Sequence, residues 1–139
     1  MITAIQQNRV WRRLREDQEG AAAVEFALSI LLVLTVLFMT LELISAVYTY
    51  TVLADAANEG VRYAIVNSGD TAGAMAKVKT YAALSLHDVS AMTVSVNCSG
   101  GCTPPNVVTV SISYNYIPYL KFMTNPPTMT AYAQSRMVN

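Results

Sequence analysis

Glu25 is the residue whose type and placement most invite chemistry. It follows Gly20 by five positions, inside the run Gly20-Ala21-Ala22-Ala23-Val24-Glu25-Phe26, and from Phe26 to Leu41 the chain carries no charge at all. Upstream lie Arg9, Arg12, Arg13 and Arg15. A carboxylate at the threshold of an apolar helix is costly in hydrocarbon, and such residues are usually functional. A plainer role is also open. Glu42 comes seventeen residues later, roughly 25 Å along a helix, so the two acids can simply mark the two membrane interfaces.

The second chemical candidate is the cysteine pair. Cys98 and Cys102 flank Ser99-Gly100-Gly101, and two glycines in so short a loop let the backbone bring the sulfurs together. A disulfide implies an oxidising compartment; two unpaired thiols are the alternative. A zinc site needs about four ligands, and His87 is the chain's one histidine. A redox pair is ordinarily CxxC before a helix, whereas this is CxxxC between strand-like runs. With no Ser/His/Asp set in context, no phosphate loop and no metal cluster, no enzyme activity, catalytic residue, cofactor or metal is expected. Net charge is zero, so there is no electrostatic footprint for nucleic acid.

The elements that must position these residues follow from pattern. Of 139 residues, 53% are hydrophobic and only 13% charged, against a norm of about 25% charged. The excess is concentrated in residues 21–66. Residues 1–20 read as a polar leader, with Trp11 and the arginines suited to the cytoplasmic face. Residues 21–66 read as one helix. Its first part, 21–42, has about 20 apolar positions interrupted by Glu25, enough to cross a core of ~30 Å. The part 43–66 is amphipathic, with Leu43, Val47, Tyr50, Ala54, Ala57, Val61 and Ala64 forming a stripe. Glu42, Ser45, Asp55, Glu59 and Arg62 fall largely on the other side. At roughly 69 Å, such a helix is too long to be a membrane span alone.

Gly69 offers a left-handed cap, and Asp70 or Thr71 can start the next helix. That helix is placed at 71–86, with Ala74, Val78, Tyr81, Ala82 and Leu86 buried. From residue 92 the period changes to two. Met92–Cys98 and Val108–Tyr116 alternate as half-buried strands, and a third is placed at Met129–Val138. The fold class is therefore α+β. A long N-terminal helix and a second short helix accompany a small antiparallel sheet of about three strands, which needs the helices as cover. Residues 67–139 are expected to form an extracytoplasmic α+β head. Three contacts invite a double reading. Gly60 costs ~1 kcal/mol in a helix interior, which reflects either close packing or a tolerated flaw. Glu59 and Arg62 can pair at i,i+3 for tenths of a kcal/mol. Tyr114, Tyr116 and Tyr119, near Pro118, serve either an adhesive surface or sheet packing.

Several secretion signals can be weighed at the N-terminus. For an ordinary signal peptide, the nearest A-x-A site, Ala54-Asp55-Ala56, lies too far beyond Leu41. A lipoprotein would need a Cys just after the apolar run. A simple anchor remains, as does cleavage after Gly20, which would leave the whole helix on the mature chain. At this point two blocks carry a resemblance. Gly20-Ala-Ala-Ala-Val-Glu25-Phe26-Ala-Leu is similar to the start of a TadE-like pseudopilin of the type IV pilin superfamily. Leu53-Ala54-Asp55-Ala56-Ala57-Asn58-Glu59-Gly60-Val61-Arg62-Tyr63-Ala64 resembles that family's Ala-rich segment ending in Gly-x-Arg-Tyr. Thr128–Ala133 agrees more weakly. The likeness spans nearly all of 19–137. Family members often carry a Pro soon after the Glu-Phe pair; Ser29-Ile30 stands there instead, which implies a straighter helix.

The resemblance implies a pilin-like, minor structural subunit of a Tad (type IVc) pilus. It implies that a prepilin peptidase cuts between Gly20 and Ala21, and that Glu25 then meets the new N-terminal amine of an adjacent subunit, with Phe26 beside it in the assembly motif. An unpaired charge in low dielectric is penalised heavily, so only a correctly staggered neighbour relieves it. The implied partners are other pilin subunits, the peptidase, an inner-membrane assembly platform and, before assembly, membrane lipid. The implied location is the bacterial inner membrane, single-pass with the head outside, and then an extracellular pilus. The competing expectation is a single-pass membrane-anchored periplasmic binding or scaffold protein that keeps its leader.

Overall fold

A computed structural model describes residues 3–67, 69–119 and 125–137, with side chains described from Gly20 onward. The expected roles of Arg9, Trp11, Arg12, Arg13 and Arg15, and the Val138 end of the third strand, lie outside the described residues. The chain divides into two units, Met1–Leu41 and Glu42–Asn139.

The first helix, α1, covers Thr3–Val66. It begins well before the expected start at residue 21 and runs through Gly20 without a break. Residues 3–19 contain Gln, Arg, Leu and Glu, all good helix formers, and no proline. In the first unit every described side chain from Gly20 to Leu41 is exposed. The polar exceptions inside the apolar run are satisfied by the helix itself. The Thr35 hydroxyl donates to the Leu31 carbonyl and that of Thr40 to the Val36 carbonyl, each at 2.8 Å. Such internal bonding is what a hydrocarbon environment demands.

In the second unit, α1 ends in a turn built on Gly69, whose φ of 79° is left-handed and whose N–H donates to the Ala64 carbonyl at 3.0 Å. Asp70 then caps α2, Thr71–Ala83, its carboxylate accepting from the Gly73 N–H at 3.0 Å. Helix α2 is three residues shorter than the expected 71–86. The Leu84, Ser85 and Leu86 amides bond back to the last helical carbonyls and close it off. Ala74, Val78 and Ala82 are buried as the spacing requires, and Leu86 packs against the core from beyond the helix end. Tyr81 is exposed instead, because the stripe narrows to small residues where α2 crosses the core.

Three strands follow: β1, Met92–Ser99; β2, Val107–Asn115; and β3, Thr128–Arg136. The sheet order is β1-β2-β3, antiparallel throughout. The register sets Val94 opposite Ile112 and Val96 opposite Val110 on one side, and Ala131 and Ala133 opposite the same two β2 residues on the other. One face is therefore apolar. It closes on Leu53, Ala56, Ala57, Val61 and Ala64 of α1 and on the buried residues of α2. The sheet is covered as anticipated. Each fully buried Leu, Ile or Val side chain contributes about 1.5–3 kcal/mol, and the run of alanines on α1 brings helix and sheet close.

The amphipathic half of α1 is turned differently from the expected stripe. Ala57, Val61 and Ala64 are buried, but Leu43, Val47 and Tyr50 are exposed, while Glu42 and Ser45 are partly covered and Thr49 is buried. The inward face runs through Ser45, Thr49, Val52, Leu53, Ala56, Gly60 and Ala64. A seven-residue stripe of mixed three and four spacings drifts around a helix, and at its N-terminal end polar contacts with the head outweigh the apolar pattern.

Candidate functional site

Three sets of residues can be followed upward from their positions. On the first unit, Gly20, Ala21, Glu25 and Phe26 are all exposed on α1. A Cβ at Gly20 would meet nothing within 4 Å. Among the described residues no hydrogen bond or ion pair is recorded for Glu25. The carboxylate thus stands at the head of the uncharged, exposed run Phe26–Leu41, and α1 is long and apolar enough to cross a membrane.

The second set is Glu59, Gly60, Arg62 and Tyr63, at the crossing of α1 and α2. Gly60 is buried, and a Cβ there would run into Val78 Cγ2 of α2 while lying 3.4 Å from Val110 Cγ1 of β2. The close-packing reading of this glycine is the one the geometry bears out. Tyr63 lies along the start of α2, its ring where a Gly73 Cβ would sit, and its hydroxyl donates to Asp70 Oδ2 at 3.4 Å. Arg62 Nη1 is 3.8 Å from Glu59 Oε2, with the arginine side chain 82% exposed, so the pair adds only tenths of a kcal/mol. Gly-x-Arg-Tyr is a docking edge for α2.

The third set was not legible from spacing. Tyr116, just past β2, is 3% exposed, and its hydroxyl donates to Glu42 Oε1 at 2.7 Å. The Ser45 side chain bonds the same hydroxyl. Seventy-four residues separate Glu42 and Tyr116, so no local pattern announces the contact. Glu42 is therefore a partner of the head as well as the end of the uncharged run. Burial, foremost, pushes the Tyr116 hydroxyl above its ordinary 10.0. Burial does the same for Tyr114, helped by the nearby Asp88 charge, and the Tyr114 hydroxyl donates to the Asp88 carbonyl at 3.1 Å. Hydrogen bonds from Ser90, side chain first, hold the Asp88 carboxyl below its ordinary range. Tyr114 and Tyr116 thus pack as sheet residues, whereas Tyr119 is 81% exposed. Together they line an open cleft of ≈ 370 Å³ with Tyr48, Thr49 and His87.

Cys98 and Cys102 are joined as a disulfide. Their loop packs under the α1–α2 turn, where a Cβ on Gly69 would strike Cys102 Cβ. Among the described residues no group of three or more metal-binding side chains occurs.

The block that holds Glu25 and the block that docks α2 lie on one helix, α1. Residues 20–62 match the family model described as TadE-like protein. Over that segment the chain is similar to TadE-like proteins. No curated protein and no solved structure matches. The TadE-like segment begins at Gly20 and ends at Arg62. It includes Glu25 and Gly60 and stops short of α2 and the sheet. The exposed apolar part of the segment is a candidate membrane anchor.

Proposed function

We propose that this chain is a pilin-like, minor structural subunit of a Tad (type IVc) pilus. In this reading it waits in the inner membrane with its head outside. A prepilin peptidase cuts between Gly20 and Ala21, and the subunit then enters the filament through α1. The observation that carries the reading is Glu25: a carboxylate exposed on a helix face that no described residue covers, five residues after Gly20, within the segment similar to TadE-like proteins. In hydrocarbon, that charge needs a partner from another molecule. A neighbour's freshly exposed amine supplies one only at a particular stagger, so the pair sets register more than it adds affinity. The oxidising compartment required by Cys98–Cys102 agrees with a head outside the cytoplasm.

A second reading keeps the leader and makes the chain a membrane-anchored periplasmic binding or scaffold protein. The unbroken helix across Gly20 and the tyrosine-lined cleft favour it. N-terminal sequencing of the cell-associated and sheared protein separates the two. A start at Ala21 in sheared filaments supports the subunit. A chain that always starts at Met1 and never leaves the envelope supports the anchor. Glu25→Ala is expected to abolish incorporation while leaving the protein in the membrane; unchanged incorporation would remove the basis of the proposal.

A further inference from the structure

The two outer strands of the sheet each bond β2 on one side and, among the described residues, no backbone on the other, and their directions match. The Met137 N–H donates to the Asn106 carbonyl and the Tyr116 N–H to the Pro127 carbonyl. Combined with the register, these bonds fix which way each residue turns. On β3, Met129, Ala131, Ala133 and Ser135 turn their backbone groups toward β2, and Thr130, Tyr132 and Gln134 turn theirs away. On β2 the alternate positions Thr109, Ser111 and Ser113 then serve β1 through Asn97, Ser95 and Thr93. That leaves Val94, Val96 and Cys98 facing outward. Among the described residues no backbone hydrogen bond takes up these outward groups on either strand; α2 packs near β1 without bonding them.

Natural edges are blunted by proline, lysine, inward-pointing charge or bulges, or by a covering helix or loop. Neither β1 nor β3 contains proline, lysine or an acid, and the one charge is Arg136 at the end of β3. We propose that heads of successive copies join edge to edge, β3 of one beside β1 of the next, to make a continuous sheet. The partner is a second copy of this chain because strand direction fits it. Both β1 and β3 run antiparallel to β2, so they run the same way. A copy shifted sideways without turning over sets the two edges in parallel. In parallel pairing each residue bonds the two that flank its opposite, so Val96 faces Ala131 or Ala133 and both apolar faces stay on one side. Antiparallel pairing would set Val96 against Thr130 or Tyr132 and turn the helix-bearing faces apart. A sideways contact is head-to-tail, leaves one free edge at each end, and therefore propagates rather than closing.

This contact deepens the subunit reading and rests on it for its setting, yet it is tested on the full chain alone. Site-resolved amide exchange is measured in detergent micelles at low and high protein concentration. The Val94, Val96, Thr130, Tyr132 and Gln134 amides are expected to exchange freely when dilute. At high concentration they slow by about tenfold or more, while Ala131 and Ala133 stay protected throughout. Thr130→Pro removes one outward N–H and leaves the β2 ladder intact, so it should abolish the slowing with the head still folded. If that variant fails to fold, Gln134→Pro and the exchange of the unaltered chain decide. Edge amides equally fast at both concentrations would overturn the contact, whether or not the chain occurs in filaments. Absence from sheared filaments would overturn the subunit reading and leave an observed edge contact standing.

Discussion

Gly60 offers the sharpest test of the architecture, because two physical effects predict opposite signs for Gly60→Ala. Helix propensity alone makes the change stabilising by ~1 kcal/mol. Packing opposes it. The new methyl would collide with Val78 Cγ2 and press on Val110 Cγ1 at 3.4 Å. Both valines are fully buried and, being β-branched, have little χ1 freedom to step aside. Inserting a methyl into such a core costs about 1–3 kcal/mol. The net expectation is a loss of about 1 kcal/mol, which for a domain of about 100 residues lowers Tm by roughly 4–8 °C. The assay is thermal unfolding of the full chain in detergent, followed by near-ultraviolet circular dichroism of the tyrosines. A double variant isolates the cause. Val78→Ala destabilises by itself, but combined with Gly60→Ala the vacated space accepts the new methyl, so the pair should lose less than the sum by about 0.5–3 kcal/mol. Gly20→Ala is the propensity-only control, since nothing lies within 4 Å of its Cβ; it should leave the head's Tm unchanged. A rise in Tm for Gly60→Ala, or strict additivity with Val78→Ala, would refute the crossing.

Three further outcomes follow from the head. Tyr116→Phe removes the 2.7 Å bond to Glu42 and should cost about 1 kcal/mol, read as a lower unfolding midpoint. Because burial raises the Tyr114 and Tyr116 hydroxyls above 10.0, their contribution is complete below that value. It is lost as pH rises through the raised values, since the unfolded chain releases those protons first. Denaturant midpoints should therefore fall on the alkaline side, and a Tyr114→Phe/Tyr116→Phe chain should fall less steeply. Replacing both Cys98 and Cys102 by Ser opens a loop of sequence separation 4 and should cost about 2 kcal/mol, with faster amide exchange at the adjoining Gly69 turn.

What could be read from the chain alone depended on the range of the forces involved. The strands were legible because alternation is a local consequence of which face is wet, and Met92–Cys98 and Val108–Tyr116 alternate without exception. The α1–α2 boundary was legible because Gly69 and Asp70 act within a few residues. The same locality explains the misplaced stripe on α1. Leu43, Val47 and Tyr50 carry the correct period, yet the inward face is chosen by Tyr116, far along the chain, whose buried hydroxyl takes Glu42 and Ser45 as partners. An apolar period states that a helix has two faces; it does not state which one the head occupies when a second apolar surface is available. The displaced face, Leu43, Ile44, Val47 and Tyr50, is left exposed in the second unit, as is the whole apolar run of the first. A monomer in water would hide such side chains. That the chain instead directs polar residues inward and apolar ones outward at this level is what the proposed membrane placement of α1, and its proposed packing against neighbouring helices, would require.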